Sequence, residues 1–324
     1  MLSNMERKSY FLLAALSVLT QISVCAQNVT AGESFELQKQ GAHYVFLADV
    51  NGKAEATVLL ESGIPAMLAD SSFVFGSGVL GDMALVPTKG EKINLGGAVY
   101  VITHKAEGTV KIGEQTSYRG EVFVLSGYAK NYEMAVPVQG LHNDKDNGSC
   151  IVRLVLEDNC LQMLSRSELR GNRKGYPKTK LNTDTYLGMP AVRTKLVLDK
   201  GKNARVLKGN FNVDFGNPEL VFLMHQHKDV QKFLTENTDL ELRQGRNPRG
   251  EVVAEFILAE SCRIGEAEFS NAVVLITKAL PKFTATGNIG LKFFKPIDVI
   301  FDFDREMMYQ TTFLQARRML RCAL

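Results

Sequence analysis

The sequence predicts a mainly β protein made of two similar, β-barrel-like lobes with few short helices. Three observations carry that prediction. Short runs rich in Val, Ile, Leu, Phe and Tyr alternate with turns bearing Gly, Asn or Asp, which is the pattern of half-buried strands. Helical patterns are few and short, for instance at 225–236 and 64–72. Finally, three blocks of sequence recur in the same order at a spacing of about 150 residues.

The composition sets the outer limits. With 324 residues, 45% of them hydrophobic and 23% charged, the chain has material for roughly two domains of about 150 residues each. A formal charge of +3 supplies no concentrated basic face, so nucleic acid is not expected as a partner. Five cysteines are too few for a disulfide scaffold.

Residues 1–26 read as an address. Glu6-Arg7-Lys8 precedes the short apolar run from Tyr10 to Leu19, and Val24-Cys25-Ala26 forms a small-residue site. A basic start, a short apolar core and such an end describe a secretory signal peptide, with cleavage expected after Ala26. The apolar run is short for a bilayer span, and no later stretch reaches spanning length. An exported protein, periplasmic or extracellular, with no integral membrane segment after cleavage and a monomeric state is therefore expected. The cysteines left after cleavage, Cys150, Cys160, Cys262 and Cys322, show no evident pairing and are expected to act as small buried hydrophobes.

Residues 27–165 form the expected N-terminal lobe, with strands at 55–60, 98–104, 109–113, 118–126, 150–156 and 160–164. Residues 166–190 read as an interlobe connector, because Arg166, Arg170, Arg173, Lys174, Lys178 and Lys180 face a single acid, Glu168, up to position 180, with Gly171, Gly175 and Pro177 interspersed. Residues 191–313 repeat the pattern as a C-terminal lobe, with strands at 194–199, 208–214, 252–259, 262–264, 269–276, 298–303 and 307–312. Residues 314–324 are a basic tail.

The repeat is specific. Ala56-Thr57-Val58-Leu59-Leu60-Glu61-Ser62-Gly63-Ile64-Pro65 is echoed by Gly209-Asn210-Phe211-Asn212-Val213-Asp214-Phe215-Gly216-Asn217-Pro218. Val110-Lys111-Ile112-Gly113-Glu114 is echoed by Cys262-Arg263-Ile264-Gly265-Glu266. The run from Ile151 to Met163 returns as Val299 to Gln310. The first block carries the chemistry. In each copy an acid ends a hydrophobic strand two residues before a glycine, as Glu61-Ser62-Gly63 and Asp214-Phe215-Gly216. A desolvated carboxylate needs partners or a proton, and a glycine lets backbone N–H donors come close. If the lobes pack about a two-fold axis, the two acids meet there. Carboxyls in contact share one proton, so one acts as general base toward water and the other as acid toward a carbonyl oxygen.

On these residues the chain resembles the pepsin/retropepsin-like aspartic proteases, particularly their secreted bacterial two-lobe members. The family pattern is two hydrophobic residues followed by Asp-Thr/Ser-Gly in each lobe, with a hydrophobic-Gly pair before the last strands. Asn288-Ile289-Gly290-Leu291 leading into Val299-Ile300-Phe301-Asp302 matches the second marker in lobe two. The resemblance covers residues 30–313 and implies a pepsin-like bilobal fold and an aspartic-type endopeptidase. It implies Glu61 and Asp214 as the catalytic pair, and Ser62, Gly63, Phe215 and Gly216 as its support or substrate-binding frame. The implied partner is a peptide or unfolded protein substrate lying between the lobes under a lobe-one loop such as the hairpin expected at Lys105-Ala106-Glu107-Gly108.

The sequence departs from the pattern in three places. Glu61 stands where the family has aspartate, Phe215 where it has a hydroxyl residue, and Asn143 to Gly148 shows no hydrophobic-Gly marker. These departures keep a second expectation in play, a pepsin-fold protein that binds a peptide or protein partner without cleaving it. A third is a β domain acting in envelope assembly or adhesion. No cofactor or metal is expected. Gly76 to Gly81 fits G-x-G-x-x-G, but Pro87 and Gly90 interrupt the helix that a dinucleotide site needs. His225, His227 and Asp229 read as a helix start, with no third ligand convincingly spaced.

Overall fold

The structure, a computed structural model, describes residues 32–312 apart from 96–97, 129–131, 247–248, 251, 266 and 278–283. The expected signal peptide and the tail lie outside the described residues. No helix among the described residues is long and apolar enough to cross a membrane.

The chain is mainly β, and the same path is drawn twice. In the N-terminal half, strand Ala54–Glu61 runs parallel to Met134–Pro137, with Leu60 opposite Val136. Strand Met67–Asp70 runs parallel to Thr116–Ser126. In the C-terminal half, Arg205–Val213 runs parallel to Gly287–Ile289, with Val213 opposite Ile289, and Val221–Met224 runs parallel to Ala267–Thr277. Each half also contains a long hairpin at the second repeat block, Ala98–Lys111 with Thr116–Ser126 and Val252–Ile264 with Ala267–Thr277. Both sheets curl toward closure. Ala191–Leu198 pairs with Val252–Ile264 in lobe two, and in lobe one the Asn51 N–H donates to the Lys111 carbonyl at 3.1 Å.

Alternation explains the curl. In His43–Val50, Phe46, Ala48 and Val50 point into the core while Leu47 and Asp49 face out, so the strand has one apolar face to bury.

The third repeat block joins the lobes. Ser34–Glu36, Cys160–Met163 and Ile151–Val155 meet Ile297–Asp302, Met307–Thr312 and Lys178–Asn182 in one continuous sheet. Ile151–Val155 and Ile297–Asp302 are antiparallel neighbours, with Val152 opposite Phe301 and Leu154 opposite Val299. All residues of Ile297–Asp302 are buried. Its two acids are therefore paired: Arg153 grips Asp298 through Nε at 3.0 Å and Nη2 at 2.7 Å, and Arg166 reaches Asp302 at 2.7 Å. Buried pairs of this kind add little net stability, because desolvation of both charges offsets much of their attraction.

One of these pairs, Arg166 with Asp302, lies in residues 166–190, where Arg170, Lys174, Lys178 and Lys180 stay exposed. The stretch read as a connector carries a helix, Arg166–Asn172, and the strand Lys178–Asn182. Ser165 caps the helix and Glu168 closes the capping box, donating nothing but accepting the Ser165 N–H at 2.6 Å and the Gly32 N–H at 3.0 Å. A Ser165→Ala protein is expected to lose about 1 kcal/mol in urea unfolding, and an unchanged midpoint would refute that role for the cap.

Other expectations need correction. Residues 64–72 do not form a helix: 67–70 is a strand, and the helix Ser71–Ser77 follows, capped by Asp70, whose Oδ1 accepts the Ser72 N–H at 2.8 Å. Residues 105–108 lie inside strand Ala98–Lys111, and the hairpin pairs that strand with Val86–Leu95. Residues 96–97, between the two strands, lie outside the described residues. Among the cysteines, Cys150 and Cys262 are free and buried, but Cys160 is disulfide-bonded. Its partner lies outside the described residues.

Candidate active site

Glu61 is the last residue of its strand, and Asp214 follows directly on strand Arg205–Val213. The equivalent strand ends put the two acids at the same place, the join between the lobes. The reason is local: each strand is buried to its last apolar residue, Leu60 or Val213, and then turns at the glycine.

The two turns interlock. A Cβ built on Gly216 would stand 2.5 Å from Oε1 and 2.8 Å from Oε2 of Glu61, and one on Gly63 would stand 3.1 Å from Oδ1 of Asp214. Each acid thus lies against the glycine of the opposite lobe, overlapping the place of a Cβ at Gly216 and in tight contact with one at Gly63. Ser62, fully buried, ties the turns together: its hydroxyl donates to the Val213 carbonyl at 2.9 Å and accepts the Phe215 N–H at 2.9 Å. The reciprocal tie is missing because Phe215 has no hydroxyl. Its ring instead packs edge-on against Phe294 and Phe301, with centroids 5.2 Å and 5.9 Å away. Lobe two has aromatic packing where lobe one has a polar cross-link.

The surroundings of the acids differ. Glu61 accepts the Ser62 N–H at 3.2 Å and the Gly63 N–H at 3.4 Å, both on Oε2. Asp214 accepts the Gly216 N–H at 3.1 Å on Oδ1 and the Asn288 side-chain amide at 2.7 Å on Oδ2. On the Glu61 side stand aromatic rings, Tyr128 against Tyr100 and Tyr132 at centroid distances of 5.4 Å and 5.5 Å, within an apolar cluster that includes Leu59, Ile64 and Phe123.

Both residues keep a partly accessible edge, yet protein encloses both acid groups. Burial, and next the charge of Asp214, push Glu61 up to about 8, against the two weak backbone bonds that favour its anion. Burial also raises Asp214, but the Asn288 amide and backbone N–H groups oppose the rise. At neutral pH the arrangement favours one proton and one negative charge on the pair.

Comparison with known proteins agrees at the level of fold. No protein-family model and no curated protein matches the sequence. Among solved structures, the aspartic proteinase from Irpex lacteus aligns with 87% of this chain and 97% of its own, at a TM-score of 0.52 and 12% identity. The fold is pepsin-like. At that identity the likeness speaks to the fold alone.

Within the pepsin-like fold the missing lobe-one marker can be located. The strand beside Ala54–Glu61 is Met134–Pro137, so Val136-Pro137 occupies the place of Ile289-Gly290. Asn143 to Gly148 is elsewhere, in a turn where Asp144 pairs with Lys111 and Arg119 and accepts the Ser117 hydroxyl at 2.7 Å. Pro137 stands at the position equivalent to Gly290, so no hydrophobic-Gly pair is visible there.

The sequence reading also passed over Asn212 and Asn288, buried amides at 3% and 5% exposure. Their signal was a polar residue within an otherwise apolar strand end, Phe211-Asn212-Val213 and Gly287-Asn288-Ile289. His227 caps helix Lys228–Glu236 by accepting the Asp229 N–H at 3.2 Å. Gly78, in the G-x-G-x-x-G stretch, ends helix Ser71–Ser77 in the left-handed conformation with φ +68°, a use that glycine suits.

The interlocked glycines make a direct prediction. Gly216→Ala should drive the Glu61 carboxyl away from Asp214 and lower its titration by the part that the Asp214 charge contributes, while burial continues to raise it. Any hydrolysis that depends on the pair should fall by about 100-fold. A carboxyl titration by NMR that matches the unsubstituted protein would refute the packing argument.

Proposed function

We propose that this protein is an exported aspartic-peptidase-like hydrolase of peptides or unfolded protein segments. Glu61 and Asp214 serve as its paired carboxyls, and Ser62, Gly63, Phe215 and Gly216 as their frame. The observation that carries the reading is the meeting of one acid from each lobe, each packed on the other's glycine.

The chemistry follows from a pair that holds one proton. The ionised carboxylate takes a proton from a water molecule as its oxygen attacks the scissile carbonyl carbon, while the protonated carboxyl gives its proton to the carbonyl oxygen. Collapse of the resulting diol breaks the C–N bond, and the amine leaves with a proton from the pair. No metal or cofactor enters this scheme. The apolar and tyrosine-rich side of Glu61 lowers the local polarity, which strengthens electrostatic effects on the reacting carbonyl.

Export is supported by the signal-like residues 1–26 and by the bonded state of Cys160, since stable disulfides belong to oxidising compartments. The deciding assay follows cleavage of an unfolded, carboxymethylated protein from pH 3 to pH 8 by the full chain and by Asp214→Asn. Equal rates for the two proteins at every pH would refute the proposal.

A second reading is favoured by Phe215, which replaces one of two possible cross-lobe hydroxyl ties by ring packing. The longer Glu61 side chain favours it too, since a displacement of about 1 Å can cost on the order of 100-fold in rate. On that reading the same site holds an extended peptide without cutting it. Recovery of intact bound peptide, without turnover, is the result that would select it.

A further inference from the structure

The two halves of the site match in backbone and differ in one polar feature. Strands Arg205–Val213 and Gly287–Ile289 are parallel neighbours with Asn212 opposite Asn288, so the two side chains project from one face of the sheet. Asn288 donates its amide to Oδ2 of Asp214 at 2.7 Å, and its own Oδ1 accepts the Asn212 amide at 3.2 Å. The corresponding lobe-one pair is Leu59 opposite Ala135, and neither can donate or accept through its side chain.

We infer that Asn288, braced by Asn212, is a positioning residue that sets where the proton of the pair resides: it reserves Asp214 as the ionised member and leaves the proton on Glu61. The inference rests on the reading of Glu61 and Asp214 as a working pair, and it adds a direction to that pair.

The argument is one of donors and acceptors. An ionised carboxylate only accepts, so the Asn288 amide must turn its NH2 group toward it. That leaves the Asn288 oxygen facing away, where it needs a donor, and the NH2 group of Asn212 supplies one. The chain of donors runs in a single direction and ends on Asp214. Asp214 therefore collects a short amide bond in addition to a backbone N–H, and hydrogen bonds to a charged acceptor are about twice as strong as neutral ones. Glu61 has no equivalent amide. Its two backbone bonds are long, and the titratable groups that face it are Asp214, Tyr128 and Tyr132. Those tyrosines carry no positive charge to hold an anion. The charge belongs where the donors are.

Function follows from the direction. Asp214 would be the general base that draws the proton from water, and Glu61 the acid that protonates the carbonyl oxygen. The longer Glu61 side chain then sits in the role where a proton must be carried outward to the substrate.

The test reads titration and needs no turnover. The full chain is labelled with 13C at the Asp γ and Glu δ carbons, and each resonance is assigned by its loss in Asp214→Asn or Glu61→Gln. In the unsubstituted protein Asp214 is expected to ionise first as pH rises from 3 to 9. In Asn288→Leu the Asp214 step is expected to move up by about one pH unit, the equivalent of about 1.4 kcal/mol. Asn212→Leu, which keeps the donor but removes its brace, should shift it the same way by less. Ionisation of Glu61 before Asp214 in the unsubstituted protein would overturn the inference, since the amides would then be flipped with Asp214 donating. Unmoved titration in a folded Asn288→Leu protein would overturn it too. Absence of peptide cleavage would count against the proposed function alone, because the titration is read without substrate.

Discussion

Asp214→Asn is expected to leave the fold intact and to remove peptide hydrolysis, by roughly 1,000-fold or more in kcat, within the range of a lost general base. Asparagine is nearly isosteric, so the Gly216 N–H and the contact with Gly63 keep an oxygen partner, while Asn288 turns its amide oxygen toward the new NH2 group. What disappears is the group that can take a proton from water. The unsubstituted protein should show a two-sided pH profile. Activity falls on the acid side as Asp214 gains a proton, and on the alkaline side as Glu61 loses its own near pH 8. An alkaline limb so high follows from burial of Glu61 beside a second carboxylate. A profile confined to strongly acidic pH, with no activity above pH 6, would count against that environment, and an active Asp214→Asn protein would remove Asp214 from the chemistry.

Glu61→Gln is expected to stabilise the folded chain at high pH and to leave it unchanged at low pH. Folding raises the Glu61 titration from its ordinary value of 4.5 to about 8. Below the lower value both folded and unfolded chains hold the proton, and glutamate costs nothing relative to glutamine. Between the two values the unfolded chain gives up its proton while the folded chain keeps it, so stability falls as pH rises. Above the folded value the loss is complete. Because water reaches part of Glu61 and its titration is shared with Asp214, the difference should be on the order of 2–3 kcal/mol rather than the full shift. Urea unfolding of both proteins at pH 4 and pH 9 reads the effect. A glutamine protein no more stable than the unsubstituted one at pH 9 would mean that Glu61 is not enclosed as described.

The pattern of strands and the pairing of Glu61 with Asp214 were legible because both are local and written twice. Alternation marks a strand wherever it lies, and a repeated acid-x-Gly at equivalent strand ends implies equivalent positions. The lobe-one marker was not legible because Val136-Pro137 lacks the glycine and keeps its place only through parallel pairing with Leu60. In the basic stretch Arg170, Lys174, Lys178 and Lys180 are exposed, as a solvated segment predicts, whereas Arg166 is held by Asp302 and Asp304, far away in sequence. Hairpin 86–111 was misplaced because Gly108 lies inside a strand opposite Gly120, where a glycine reads like a turn.

By itself, the sequence determined the mainly β character, the duplication and the two acids that end matching strands. Burial alternation and repeat are properties of neighbours along the chain, and they survive without coordinates. Only the tertiary structure decided that each acid lies on the other lobe's glycine, that Ser62 ties the turns while Phe215 does not, and that Asn288 reaches Asp214 with no counterpart beside Glu61. Those are distances between segments about 75 to 150 residues apart, set by how the lobes close, and a proton's place within a pair depends on such distances alone.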